Sequence, residues 1–417
     1  MVKKIRSPGG ATDAKSEIES RNSVVSAIIT AAAELRQEMT RRMRFLIFFS
    51  IVMGIWLTFH LYVGWRLWSL PLFANPTGHR ILLLGLAVLY VSYPLGRYLY
   101  HHGMPRIGTV LEYGGGVWMG TLVLLLSVLG IVDLVTLFGM VLKPWVIQMR
   151  TAAIGVAVVL AVVAWIGGFV RPRTVDLEVE LPNLPASADG LVIAHLTDLH
   201  LGALIGERRL RSVIEQIDGL KPDIVVITGD LVDGDAGTVE NMVPVLKTLT
   251  APRGVYSILG NHEMYAGAER CRDLMRDSGF VVLDSEASEI TTGLWIAGVP
   301  DSGRGPGTDG LDGALQTALN AVGEGNAVVF LQHAPGNEKA TAASGVGLML
   351  NGHTHGGQIW PFHYMVLRAY PHIAGVHSVD EMTQVISRGA GRWGAPMRLF
   401  APSEIYRITL RSPTATR

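Results

Sequence analysis

With 417 residues, 49% of them hydrophobic and only 17% charged, the chain is long enough for two domains and too apolar for an ordinary soluble enzyme. Its 35 Lys and Arg offset 35 Asp and Glu, so no whole-chain basic field points to nucleic acid as a partner. The single cysteine, Cys271, excludes an intramolecular disulfide and a thiolate metal cluster, and its expected role is small buried filler.

Residues 1–43 read as a polar cytoplasmic tail, in which VVSAIITAAAELRQEM is either a short amphipathic helix or more of the solvated tail. Four apolar runs follow within residues 44–170: Phe45–Val63, Ile81–Leu95, Val117–Leu142 and Ala152–Val170. Most approach the roughly 20 residues that a helix needs to cross about 30 Å of hydrocarbon. The second is the weakest, because Pro94 and Gly96 interrupt it. Asp133, in the third, should face another helix or a water-filled cavity, or lie near enough to the interface to hydrate. The first run starts too late for a secretory signal and lacks a small-residue cleavage site, so it reads as a retained anchor.

Charge flanking these runs sets the expected orientation. Arg36, Arg41, Arg42 and Arg44 precede the first run, whereas the next loop carries only Arg66 and Arg80, which puts the N-terminus in the cytoplasm. With four spans the C-terminal part returns to that side, in agreement with Arg97, Arg106, Arg171 and Arg173. Lys143 and Arg150, in the loop expected to face outward, run against it.

Residues 171–190, with alternating polar and apolar positions and then prolines, read as a connector. From 191 to 411 the pattern is that of an α/β domain, followed by a tail at 412–417. Short β-branched runs (LVIAHLT, DIVVITG, VYSILG, LWIAGV, AVVFLQ, GVGLMLNG, TQVISRG, EIYRITL) alternate there with helical stretches such as 207–220 and 241–249.

Five polar clusters each fall where an apolar strand gives way to a loop, the edge at which sheet enzymes build sites. They are HLTDLHLG with Asp198 and His200, ITGDLVDG with Asp230, LGNHEMY with Asn261, His262 and Glu263, LQHAPG with His333, and NGHTHGG with His353 and His355. If strand geometry persists, Asp198 and His200 project from one face. Any one cluster alone is more often a hydrogen-bonded turn than a ligand set. Together they supply carboxylate, amide and imidazole donors suited to manganese, zinc or iron. Gly229, Gly260, Gly352 and Gly356 beside them allow tight turns.

In order and spacing these clusters resemble the signature of the calcineurin-like metallophosphoesterases: D-x-H, GD, GNH with an acid, a lone His, and GH-x-H. The resemblance covers about 191 to 410, and GHTHGGQ with SRGAGRWGAPMRLFAPSEIYRITL resembles the membrane-associated bacterial branch, which includes enzymes hydrolysing UDP-2,3-diacylglucosamine. It implies two packed mixed sheets flanked by helices, a four-layer sandwich, behind the four-helix transmembrane region. It also implies two divalent metal ions, manganese first, then zinc or iron. Asp198, His200 and His355 would hold one, Asn261, His333 and His353 the other, and Asp230 would bridge both. A hydroxide shared by the two would be the nucleophile, and His262 would be the catalytic acid or a donor to the transition state. Asp233 and Glu263 are expected to orient imidazoles or to be plain surface acids.

The expected enzyme is a phosphohydrolase of the bacterial inner membrane, with its catalytic domain cytoplasmic and the lipid bilayer as partner. It would cleave a phosphoester or pyrophosphate, with a lipid-linked substrate such as UDP-2,3-diacylglucosamine first and a general phosphodiester or phospholipid second. Trp360, Phe362, Tyr364 and Tyr370 beside Arg368 and His372 suit an acyl-binding loop, or else an aromatic minicore. A non-catalytic membrane receptor or scaffold for a phosphorylated ligand, and a four-helix transporter with a regulatory hydrolase domain, are the other classes left open.

Overall fold

The computed structural model describes residues 49–302 and 311–413, together with positions 36, 39, 43, 46 and 47. Apart from positions 36, 39 and 43, the expected tail to residue 43 with its amphipathic stretch, and residues 414–417, lie outside the described residues. The chain divides into two compact units, 1–62 and 63–417. In the first, residues 49–62 are helical, and the expected span from Phe45 begins outside the described residues.

Among the described residues of the second unit, three helices are long and apolar enough to cross a membrane, against four expected in the chain. They are α1 (Pro76–His101), α2 (Pro105–Val135) and α3 (Val146–Gly167). The expected interruption at Pro94 and Gly96 does not occur, and α1 runs through both. Gly96 is there for contact, because a side chain on it would collide with the backbone of Glu112. Cβ atoms at Gly108 and Gly115 would likewise lie 2.5 Å from the backbone nitrogens of Tyr100 and Tyr93, so these glycines let α1 and α2 touch along their backbones. Helix α2 starts before the expected Val117 and ends before Leu142. Leu137, Phe138 and Leu142 adopt left-handed φ angles of 46°, 58° and 58°, which turn the chain toward α3.

Asp133 faces other helices: its buried carboxylate accepts from Arg66 Nε at 2.6 Å and from Arg150 Nη2 at 3.1 Å. Arg66 and Arg150 therefore serve a buried cluster and are poor guides to orientation as loop charges.

All eight apolar runs of the C-terminal part are strands, and four more accompany them. They are β1 (Arg173–Glu180), β2 (Val192–Leu196), β3 (Ile224–Ile227), β4 (Val255–Ser257), β5 (Val281–Val282), β6 (Glu286–Thr291), β7 (Leu294–Gly298), β8 (Ala327–Leu331), β9 (Leu348–Asn351), β10 (Gly375–Val379), β11 (Met382–Ile386) and β12 (Glu404–Arg411). They form two mixed six-stranded sheets, ordered β1-β12-β2-β3-β4-β5 and β10-β11-β9-β8-β7-β6. The expected connector 171–190 opens with β1, an edge strand paired in parallel with β12. Of the expected helical stretch 241–249, one short turn at Val243–Leu246 is helical by itself.

The sheets pack face to face through Ile193, Val226 and Tyr256 of the first and Ile296, Val329 and Leu350 of the second. Helix α4 (Glu207–Leu220) covers the outer face of the first sheet with Leu210, Val213 and Ile217. After the short helix α5 (Asn261–Ala266), helix α6 (Leu311–Leu319) sets Leu315 and Ala318 against Val328 and Phe330 on the second sheet's outer face. The order helix, sheet, sheet, helix buries both faces of each sheet. Cys271 is buried in the first helical layer.

Candidate metal centre

Strands β2, β3 and β4 run parallel in one sheet and β7, β8 and β9 in the other, so all five clusters emerge at C-terminal strand ends. The expectation that a continuing strand aligns Asp198 with His200 fails, because β2 stops at Leu196. Instead Asp198, His200, Asp230, His353 and His355 adopt left-handed φ angles of 53°, 53°, 52°, 72° and 51°. Side chains other than glycine hold that conformation only where surrounding bonds impose it. The bonds here are Asp198 N–H to Gly229 O (3.1 Å), His200 N–H to Asp230 O (3.0 Å) and Leu201 N–H to Leu231 O (2.8 Å), which tie the loops after β2 and β3 together. At Gly260 and Gly352 the backbone itself approaches the carboxylates, and a Cβ would overlap Asp230 and Asp198 respectively.

Two groups of donors converge. In one, His200 Nε2 and His355 Nε2 face each other at 3.0 Å, with Asp198 Oδ1 3.5 Å from His355 Nε2 and 4.0 Å from His200 Nε2. In the other, Asn261 Oδ1 lies 3.0 Å from His333 Nε2 and 2.8 Å from His353 Nδ1, and those two nitrogens are 3.2 Å apart. Asp230 Oδ2 lies between the groups, 3.8 Å from His200 Nε2 and 3.1 Å from His333 Nε2. All seven residues expected as ligands are thus brought together. Imidazole nitrogens aimed at one another are satisfied by a shared proton or by a cation between them, and the donor set of oxygens and imidazoles without thiolate fits two divalent cations.

Electrostatics agree with that fit at three of the four imidazoles. Burial lowers His200 to about 4 and His353 to about 3, and burial with the charges of His200 and Arg398 holds His355 well below its ordinary value. All three stay in the neutral, ligating form at pH 7. Burial raises Asp198 to about 6 against the pull of His333. Asp230 moves the other way: burial opposes ionisation, but His333, His200 and His262 keep it far below the carboxylate range. His333 rises to about 10 because the charge of Asp230 outweighs burial.

His262 stands beside this cluster, its ring 4.6 Å from that of His200 and its backbone N–H donating to Asp230 Oδ1 at 2.9 Å. Its Nδ1 is 2.9 Å from Asp233 Oδ1, so Asp233 meets the imidazole of His262 rather than solvent. Although burial works against the charged ring, Asp233, Asp230 and Glu263 raise the pKa of His262. Glu263 meets no imidazole, contrary to expectation. Its carboxylate accepts the backbone N–H groups of Asp230, Val232 and Gly260 at 2.9, 2.8 and 2.7 Å, buried donors that the loops after β3 and β4 cannot otherwise satisfy.

Three contributors do not stand out in the sequence, although Thr228 lies within ITGDLVDG and Arg398 and Trp393 within the SRGAGRWGAPMRLF stretch. Thr228 accepts from His333 Nδ1 through its carbonyl at 2.7 Å, Arg398 sets Nη2 3.2 Å from His355 Nδ1, and the exposed ring of Trp393 stands 5.6 Å from that of His262. In the aromatic stretch after the last cluster, Tyr370 is buried 5.6 Å from the His353 ring, while Tyr364, Met365 and Leu367 are exposed.

A profile of the family described as "Calcineurin-like phosphoesterase" matches residues 191–357. An uncharacterized metallophosphoesterase of Aquifex aeolicus (strain VF5) is 36% identical over 246 residues, covering 58% of this chain and 92% of that protein. A transmembrane protein with metallophosphoesterase domain from Danio rerio is 32% identical over 273 residues, and the match spans 62% of each chain. Among solved structures, a 5'-nucleotidase precursor from Thermus thermophilus is similar at 17% identity and a TM-score of 0.32, over 52% of this chain and 54% of that one.

Proposed function

Because the chain belongs to the calcineurin-like phosphoesterase family, we propose that it is a membrane-anchored phosphohydrolase, with Asp198, His200 and His355 holding one divalent metal ion, Asn261, His333 and His353 a second, and Asp230 shared. The observation that carries this reading is the convergence of seven buried or half-buried donors from five strand ends of two sheets. Two cations bound there, manganese first among the candidates, would acidify a water to a nucleophile and neutralise phosphoryl oxygens.

The chain's own residues supply the rest. His262 gives its Nδ1 proton to the bond with Asp233, which leaves Nε2 to protonate the leaving oxygen as the phosphorus–oxygen bond breaks. Asp233 fixes the ring, and its charge favours the protonated form that a general acid needs. Glu263 fixes the backbone of Asp230 and Gly260 and so the place of the shared carboxylate.

The reading extends to the membrane. The loop carrying Trp393 continues into residues that pack on the helices: Arg398 N–H donates to Ala164 O at 2.8 Å, and Arg392 Nη1 to Gly168 O at 2.7 Å. A site docked on the ends of apolar helices suits a substrate delivered from the bilayer. A lipid-linked pyrophosphate such as UDP-2,3-diacylglucosamine is the first choice, and a general phosphodiester or phospholipid the second. The catalytic domain would then lie on the cytoplasmic side of an inner membrane. A metal-supplemented assay in detergent tests this by comparing soluble phosphoesters with lipid phosphates and UDP-diacylglucosamine. Metal-dependent turnover fastest on lipid substrates is expected. Equal or faster turnover of soluble esters would contradict the lipid assignment, and binding without turnover would favour a receptor.

A further inference from the structure

Helix α3, with 22 residues, is about 33 Å long and matches the hydrocarbon thickness, whereas α1 and α2, with 26 and 31 residues, reach about 39 and 46 Å. The end where α1 turns into α2 meets the catalytic domain. Tyr100 donates its hydroxyl to Thr238 Oγ1 at 3.2 Å. Arg97, Tyr100 and Glu112 from the hairpin line one small cleft with Asp233 and Gly234 from the loop after β3.

Within that cleft Arg97 meets Glu112 and Gly234. Its Nη1 donates to the buried carboxylate of Glu112 at 3.0 Å, and its Nη2 lies over Gly234, 3.3 Å from where a Cβ would stand. Gly234 has a φ of 83° and leaves that space open beside Asp233. Arg97 thus shares the cleft with Asp233, the same carboxylate that meets His262 Nδ1 at 2.9 Å. Trp393, whose ring stands 5.6 Å from that of His262, belongs to a loop held by Gln358, which accepts from Trp393 N–H at 2.9 Å and donates to Trp393 O and Ala395 O at 2.8 and 3.0 Å. That loop rests on α2, where a Cβ at Gly116 would lie 3.0 Å from Gly394 O and from Pro396 Cδ. Two neighbours of His262, Asp233 and Trp393, are thus backed by the membrane hairpin.

We propose that Arg97 is a positioning residue that acts through Asp233 to hold the His262 ring, so that the α1–α2 hairpin is a working part of the active site as well as an anchor. This rests on the assignment of His262 as the proton donor. The test uses the full-length protein in detergent, with manganese and the soluble ester bis(p-nitrophenyl) phosphate, so that lipid recruitment plays no part.

Arg97→Met is expected to lower kcat about tenfold with KM within about twofold and bound metal unchanged by elemental analysis, while Arg97→Lys recovers most of the loss. In a His262→Ala background the same change should have no further effect, because the two residues act in one chain. Glu112→Gln, which releases the other side of Arg97, should give a smaller loss of the same kind. The Nδ1 proton resonance of His262 in histidine-labelled protein, identified by its loss in His262→Ala, should broaden in Arg97→Met and persist in Arg97→Lys. An active wild type with unchanged kcat in Arg97→Met, a loss that follows bound metal, or additivity with His262→Ala would overturn the proposal. If the wild type cleaves no phosphoester, the hydrolase reading falls, and the resonance still decides whether Arg97 holds the ring.

Discussion

Both ends of the helical region bury an acid against arginine, yet the two clusters face different neighbours. At one end Asp133 takes Arg66 and Arg150, from the segment before α1 and from α3, and ties helices to each other. At the other end Glu112 takes Arg97, which lines a cleft with Asp233 of the catalytic domain. The same chemistry therefore serves assembly at one end and, by our reading, the orientation of a catalytic ring at the other. What separates them is what lies across from the arginine.

Mutations sharpen this contrast in order of size. Asp230→Ala removes the carboxylate shared by both donor groups and should cost at least about ten-thousandfold in kcat, some 5.5 kcal/mol of transition-state stabilisation, in a steady-state assay. Asp133→Ala leaves two buried guanidinium groups without their carboxylate and should destabilise the protein by about 4 kcal/mol, seen as a lower unfolding midpoint in detergent. The fraction that stays folded should keep its kcat, and a matching drop in kcat would erase the distinction between the two ends. Glu263→Ala, which strands three buried N–H groups, should lower stability by about 3 kcal/mol and loosen the placement of Asp230, measurable as weaker metal retention on dialysis. Trp393→Ala, on an exposed ring, should leave stability within about 0.5 kcal/mol and act mainly on KM for a lipid substrate.

How much the sequence reveals follows from burial. The eight strands with apolar runs are legible because they lie in sheet interiors, as in the fully buried β2, β3, β8 and β9. Strands β1, β6 and β10 stand at sheet edges with half-exposed faces, and their mixed patterns read as connector or loop. The ligand clusters are legible because Asp, His and Asn recur with glycine at strand ends. Their backbone conformation is not, since the left-handed turns at Asp198 and His200 are imposed by bonds to Gly229 and Asp230, some thirty residues on. Pro94 and Gly96 mislead for a related reason: in isolation they break helices, whereas against the backbone of α2 the glycine is what allows contact. Arg97 reads from sequence as an orientation charge, and its partners lie on other elements.

The central claim is that these seven donors hold two metal ions that act together on a phosphoester. It is tested most directly by stripping the purified protein with a chelator and titrating manganese back while recording bound metal and hydrolysis of bis(p-nitrophenyl) phosphate. The account predicts no activity in the stripped protein, full activity only at two equivalents, and a lower bound stoichiometry without activity in Asp230→Ala. Turnover that survives the chelator, or that is complete at one equivalent, would contradict it.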